Sequence, residues 1–595
     1  MARFTFVQAS AALSLFTSSA FADVVKYTLN VANGQVTPDG VTRNALLVNG
    51  RFPSPLIKAN KGDTLEITVN NQLNDPSMRR STAVHWHGLF QAGTAEEDGP
   101  AFVTQCPIAP QASYTYTIPL KDQTGTFWYH SHLSSQYVDG LRGPLVICCD
   151  EGIKSSDLPI NLDMNDPYRN QYDVDDETTV LTLADWYHSP STEIIASGNV
   201  LRTIPDSGTL NGKGRYGLLN ISTSPESLHT VKVQRGKRYR LRIINASAIM
   251  SNRFGIDGHK MTIIEMDGIA TKPMEVDQLD ILAGQRYSVI VKADQEPDTY
   301  WINAPVTNVP NTNIQGLFVY EDVKPWRPPQ RPFWTWTISQ GIIDYWKHIH
   351  GHHRKAQKMR RISAPRDVSG VGNAFEERAA SKAGNHLERR VDATTLGLVV
   401  MDETKLVPLV NPGAPGGSHP ADIVVPLNFD LNFLDGKWRI NGQAYAPPSI
   451  PTLLKILSKQ GNVSATDFAG SENTYSLERN KVVEIVFGGS ALGITHPFHL
   501  HGHAFDVVQF GSSPPNYANP PRRDVIGVLE PGTRIRFKTD NPGPWFLHCH
   551  IDWHLEEGLA MVFTETPSDI PKVVKPDPSW YGLCEKYNKL PKELQ

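Results

Sequence analysis

Apolar residues along this chain recur most often at every second position. In residues 64–70, Leu65, Ile67 and Val69 alternate with Thr64, Glu66, Thr68 and Asn70. In 287–292, Tyr287, Val289 and Val291 share one face, and in 534–538 Ile535 and Phe537 alternate with basic residues. A strand turns successive side chains to opposite faces, so the pattern predicts half-buried strands. The 45 Gly and 44 Pro punctuate these short runs, and long amphipathic helices are scarce. The chain therefore reads as β-sandwiches, divided into 23–150, 151–321 and 394–595. Residues 322–393 are of another kind. From 324 to 392 fourteen Lys/Arg stand against six Asp/Glu, with several Trp and the run Lys347-His348-Ile349-His350-Gly351-His352-His353-Arg354. Neither period persists there, so the stretch cannot easily bury a core. It reads as a poorly structured insertion, either a surface loop or non-coding sequence kept in the gene model.

Composition changes this picture little. The 595 residues are 40% hydrophobic and 20% charged, as in a soluble globular protein with several cores. A net charge of -4 gives no basic footprint for nucleic acid. The N-terminus does add something. Met1-Ala2-Arg3, an apolar stretch and Ser19-Ala20-Phe21-Ala22 read as a secretory leader over residues 1–22, cleaved after Ala22. No later apolar run is long enough to span a bilayer. A secreted, extracellular protein follows, and sequons at Asn220, Asn245 and Asn462 fit that route as glycosylation acceptors. The five cysteines, Cys106, Cys148, Cys149, Cys549 and Cys584, do not make a disulfide-dense scaffold. Their odd number leaves at least one thiol for ligation or reaction.

The chemistry lies in histidines. His85/His87, His130/His132, His499/His501 and His548/His550 form four His-x-His pairs in strand-like text. Positions i and i+2 of a strand face the same way, so each pair aims two imidazoles into one cavity. Imidazole suits copper, and eight such ligands could hold three copper ions with room left for oxygen species. One such pair is a weak signal; four, two near each end of the chain, are very hard to obtain by chance. A second set is His496, Cys549 and His554, the two imidazoles and thiolate of a trigonal blue-copper site. Leu559, ten residues after the cysteine, stands where such sites place an axial ligand and cannot coordinate. Without that donor the oxidised ion is less stabilised, which predicts a raised reduction potential. Cys549 lies between His548 and His550, so its side chain points opposite to theirs. The two copper sites therefore flank one short peptide.

The motifs His85-Trp86-His87-Gly88, Trp128-Tyr129-His130-Ser131-His132, His496-Pro497-Phe498-His499-Leu500-His501-Gly502-His503 and His548-Cys549-His550-Ile551-Asp552-Trp553-His554 resemble the copper-binding segments of multicopper oxidases. Gly125-Thr126, Gly140-Leu141-Arg142-Gly143, Ala184-Asp185-Trp186-Tyr187-His188, Asn411-Pro412 and Gln105-Cys106-Pro107-Ile108 are similar to fungal laccases. The resemblance covers nearly all the chain after the leader except the insertion. It implies an all-β fold of three consecutive cupredoxin-like Greek-key β-sandwich domains and four copper ions per chain. His496, Cys549 and His554 would bind the type 1 ion, and His85 and His499 the type 2 ion. His87, His130 and His550 would hold one type 3 ion, and His132, His501 and His548 the other. His503 is not a family ligand. Asp98 and Asp552 match carboxylates near the coppers, where reduction of dioxygen to water needs four protons. Cys106 and Cys584 match a family disulfide between the first domain and the C-terminal tail.

Departures from the pattern bear on substrate. A second family disulfide is lost at both ends, at Val138 and Ala248. The position of a carboxylate that receives the phenol proton is Ile249. Cys148 and Cys149 end the apolar run Leu145-Val146-Ile147 and read as buried thiols. The resemblance implies a monomeric oxidase of phenols and aromatic amines that reduces dioxygen to water, in the manner of enzymes that degrade lignin. The alternatives are a ferroxidase-type metallo-oxidase, which needs carboxylates near His554, and a non-catalytic copper-binding cupredoxin protein, which missing ligands would favour.

Overall fold

The computed structural model describes residues 23–148, 166–216, 227–308, 313–321, 397–489 and 493–594. The leader, Asn220, Cys149 and the insertion lie outside them. The first sandwich has two four-stranded sheets. One orders Arg43–Val48, Val24–Val36, Thr64–Asn71 and Ser113–Pro119; the other orders Ile57–Asn60, Arg142–Cys148, Gly125–Ser131 and Val84–His87. Thr64–Asn71 buries Leu65, Ile67 and Val69, as its alternation predicts. The middle sandwich packs a seven-stranded on a five-stranded sheet, and the third pairs two five-stranded sheets and adds a hairpin, Phe429–Asn432 with Lys437–Ile440. Neighbouring strands are often distant in sequence, and Val24–Val36 runs parallel to Thr64–Asn71.

Two of the three strands whose alternation is described above depart from half-burial. Arg286–Lys292 is central in its sheet, between Arg238–Asn245 and Met261–Met266, and both its faces are covered. Ile290, on the second face, packs with Tyr168, Tyr172 and Ile264. In Arg534–Lys538 the basic Arg536 is buried, because its Nε donates to Glu484 at 2.6 Å.

The 394 boundary needs correction. Residues 399–409 belong to the middle sandwich. Val400 bridges Gln278, Pro408 bridges Thr271, and Leu406 sits in the middle core. The third sandwich begins its pairing at Ile423–Leu427. These edge additions are held by backbone bonds, which leave no alternation in the text.

The middle sandwich has an apolar core of its own, whereas Trp86 and Tyr116 of the first share one cluster with Phe498, Trp545 and Leu559 of the third. Cys106 and Cys584 form a disulfide that ties the C-terminal helix Pro578–Asn588 to the first sandwich. The helix starts on Asp577, which caps the Ser579 N–H, with Pro578 in the first turn. Trp580, Leu583 and Tyr587 are its buried face.

Candidate metal centre

Strand register assembles the histidines. Val84–His87 and Gly125–Ser131 are antiparallel, with His85 opposite His130. His496–Leu500 and Gly543–Cys549 are antiparallel, with His499 opposite His548 and Phe498 opposite Cys549. Residues opposite each other share a face, so each pairing doubles the imidazoles on one surface. The two surfaces then meet. His87 stacks on His499 with ring centroids 3.8 Å apart, and His85 on His501 at 4.0 Å. All eight rings are buried.

Hydrogen bonds select which nitrogens remain available. His85 Nδ1 faces the Asp98 carbonyl at 2.8 Å, His130 Nδ1 that of Ser131 at 2.9 Å and His499 Nδ1 that of Asp524 at 2.9 Å. His548 Nδ1 faces the Cys549 carbonyl at 3.0 Å, and His501 Nδ1 faces Asp98 Oδ2 at 2.9 Å. A carbonyl or carboxylate only accepts, so each Nδ1 carries the proton and each Nε2 presents a lone pair. The Nε2 atoms of His85, His130 and His499, and both ring nitrogens of His87 and His550, are buried without a protein partner. His548 Nε2 lies 3.2 Å from His501 Nε2 and 3.4 Å from His132 Nε2. Convergent lone pairs with no proton between them fit metal ions. Burial also holds these imidazoles neutral: it pulls His87, His130, His132, His499, His501 and His550 well below the ordinary value and His548 down to about 3.

The second centre lies across the strand end. Cys549 Sγ is 3.6 Å from His496 Nδ1 and 3.7 Å from His554 Nδ1, and the two nitrogens are 3.2 Å apart. The Ile551 N–H donates to the sulfur at 3.4 Å. Leu559 is fully buried, and its carbonyl accepts the Cys549 N–H at 3.1 Å. Trp438, on the added hairpin, sets its ring 4.8 Å from His496 and 4.7 Å from His554. Cys549 and His496 have no exposed surface, whereas His554 retains 5%.

Asp98 is fully buried between two ligand rings, with Oδ2 on His501 and Oδ1 3.2 Å from His85 Nδ1. Burial raises its pKa. Asp552 is buried near Ser135, and burial pushes it well above the usual carboxylate range. His503 turns away from the cluster to Glu565 at 2.7 Å. Val138 and Ala248 are both fully buried, and Tyr137 Oη donates to the Ser247 carbonyl at 3.2 Å beside them. Ile249 is half-buried, its N–H bound to Asp185 Oδ2 at 2.9 Å.

One glycosylation expectation is overturned. Asn245 is fully buried, and its amide donates to the Met250 carbonyl at 3.0 Å and the Ile281 carbonyl at 3.0 Å, so it has no room for a glycan. Asn462 is exposed. Cys148 is half-buried rather than fully buried.

Sequence reasoning missed Asp524 and Arg286. Asp524 Oδ1 lies 3.5 Å from His87 Nε2, and Arg286 grips both carboxylate oxygens at 2.5 and 2.7 Å. The signal available was Arg522-Arg523-Asp524, a charge run beside a strand of apolar text.

Comparison with known proteins agrees with this geometry. Residues 30–151, 177–322 and 445–569 each match the family described as multicopper oxidase. Laccase-2 of Thanatephorus cucumeris is 63% identical over 605 aligned residues, covering 98% of each chain. Laccase-4 of Trametes villosa is 40% identical, covering 94% of each. A laccase structure from Botrytis aclada is 31% identical with a TM-score of 0.69, over 95% of this chain and 91% of that one. Fet3p, a multicopper oxidase that functions in iron import, is 27% identical with a TM-score of 0.71 over 95% of both chains. The chain belongs to the multicopper oxidase family, with cupredoxin-like domains and copper as the implied metal. It is an oxidase, and its function is laccase-like.

Proposed function

We propose that the chain binds four copper ions and couples one-electron oxidation of phenols or aromatic amines to reduction of dioxygen. His496, Cys549 and His554 would hold the type 1 ion, and His85 and His499 the type 2 ion. His87, His130 and His550 would hold one type 3 ion, and His132, His501 and His548 the other. The observation that carries this reading is the convergence of buried ring nitrogens, with Nδ1 already committed on His85, His130, His499, His501 and His548. Bound there, copper would supply one-electron acceptance at the Cys549 centre and four-electron reduction of dioxygen at the histidine cluster, which with four protons would give two waters.

The chain's own residues set the route. Of the three proposed type 1 ligands, His554 is the one with exposed surface, so a reductant would meet that site at its edge. Cys549 joins that edge to His548 and His550 through the backbone, and the His548 Nδ1–H to Cys549 carbonyl bond adds a second link. Asp98 touches rings of both cluster halves and is the proposed proton carrier on that side; Asp552 is the proposed carrier nearer the type 1 centre. Ile249 supplies no carboxylate for a phenol proton, so that proton leaves to water. No helix among the described residues is long and apolar enough to cross a membrane. The leader text is the ground for the export proposed here, and the family resemblance for a monomer acting on small aromatic reductants.

The metallo-oxidase alternative is not favoured. Glu556 and Glu557 follow His554 within three positions, but among the described residues neither joins it in a metal-capable group, and the relatives at 63% and 40% identity are laccases. The full ligand set argues against a non-catalytic role. Copper analysis and visible absorption test the reading. Four ions per chain and a strong blue band are expected, with Cys549→Ser losing the band and turnover while remaining folded. Fewer ions and no band would refute it, and faster turnover of ferrous iron than of phenols would replace the substrate class.

A further inference from the structure

The middle domain supplies none of the proposed copper ligands, yet its turn at residues 282–286 reaches the histidine cluster. Gly284 has φ +85°, and a Cβ on it would lie 2.7 Å from His550 Cδ2. Gln285 Nε2 donates to the Val525 carbonyl at 3.1 Å. Arg286 is fully buried and touches all three domains. Its Nε donates to the Thr126 carbonyl of the first at 3.1 Å, its Nη1 to the Gly284 carbonyl of the middle at 3.3 Å, and both Nη atoms to Asp524 of the third at 2.5 and 2.7 Å. Asp267 fixes the pair from behind, accepting the Arg286 N–H at 2.8 Å and Arg523 Nε at 2.9 Å. Asp524 then meets two cluster rings: its carbonyl accepts the His499 Nδ1–H at 2.9 Å, and its Oδ1 stands 3.5 Å from His87 Nε2.

We propose that Arg286 and Asp524, with Gly284, are positioning residues that set His499, His87 and His550 from the middle domain, so that the type 2 and adjacent type 3 sites are complete only when that domain is docked. This rests on the copper assignment above. A buried ion pair is weak evidence for stability, because desolvation offsets the attraction. What the guanidinium fork adds is direction, since two parallel bonds fix the carboxylate plane as a lysine ammonium cannot. Partners behind a ligating histidine orient its ring and commonly matter about 10–100-fold for metal affinity or activity. Asp524 occupies that place for His499 and stands beside the otherwise unpartnered ring of His87.

The test uses the copper-loaded full chain with Arg286→Lys, which keeps the charge and removes the fork, and Gly284→Ala, which crowds His550. Both are expected to keep the blue band and the KM for a phenol, which report on the distant type 1 site. Arg286→Lys should change the type 2 electron paramagnetic resonance signal or lose that ion, and kcat should fall about tenfold or more. Gly284→Ala should make a normally silent type 3 ion visible by the same spectroscopy. If Arg286→Lys does not fold, Asp524→Asn takes its place under the same criteria. Folded variants with parental copper signals and kcat within about twofold of the parent, even with a lower Tm, would overturn the proposal. A parent protein lacking the blue band and four ions would instead count against the copper assignment.

Discussion

Asp98 offers a sharp test of how the cluster is held. It is fully buried, accepts the His501 Nδ1–H at 2.9 Å and sits 3.2 Å from His85 Nδ1, so one side chain steadies a ligand from each of two domains. Asp98→Asn preserves shape and removes the charge. A hydrogen bond to a charged group contributes roughly 1.5–3 kcal/mol. That corresponds to roughly one to two orders of magnitude, in line with the 10–100-fold usually lost with a partner behind a metal ligand. Both rings belong to the histidine cluster proposed to reduce oxygen and neither to the Cys549 centre. The expected defect is therefore confined to reoxidation. Under anaerobic stopped-flow mixing with a phenol, the blue band should bleach at the parent rate. On mixing the reduced protein with dioxygen, its return should be about 10–100-fold slower. Bleaching slowed in the same proportion would place Asp98 on the electron-uptake side. Reoxidation within about twofold of the parent would show that the carboxylate charge has no part in the cluster.

Leu559→Met places a weak sulfur donor at a fully buried position and should lower the type 1 reduction potential; redox titration giving an unchanged or higher value would show that Leu559 is not the axial neighbour. Ile249→Asp should raise activity on phenols more than on non-phenolic donors, because only phenols must shed a proton with the electron, and equal gains would remove this loop from the substrate. Glu96 is buried, and burial raises it from 4.5 to about 7, which corresponds to roughly 3 kcal/mol. Its folded-state value is the higher one, so its contribution is fully present below pH 4.5 and is lost as pH rises to about 7. Glu96→Gln should accordingly flatten the fall of Tm between those values, and an unchanged pH profile by calorimetry would refute this. Peptide mass mapping should find any glycan at Asn462 and none at Asn245, whose modification would contradict its burial.

What the chain determines by itself is local. The period of two that sets strands also sets both imidazoles of each His-x-His pair on one face, and Cys549 between His548 and His550 could only point the other way. The all-β architecture, and the facing of the histidines proposed as ligands, were legible for that reason. Tertiary structure decided everything that depends on strands finding partners far along the chain. It put His85 opposite His130 and His499 opposite His548, then stacked one pair on the other across two domains. It carried Asp98 to His501 across 403 positions, and Arg286 to Asp524 across 238. It buried Asn245 despite its sequon, and drew residues 399–409 back to the middle sandwich. Burial and register are properties of neighbours, and a linear pattern records only which face a side chain takes, not what covers it.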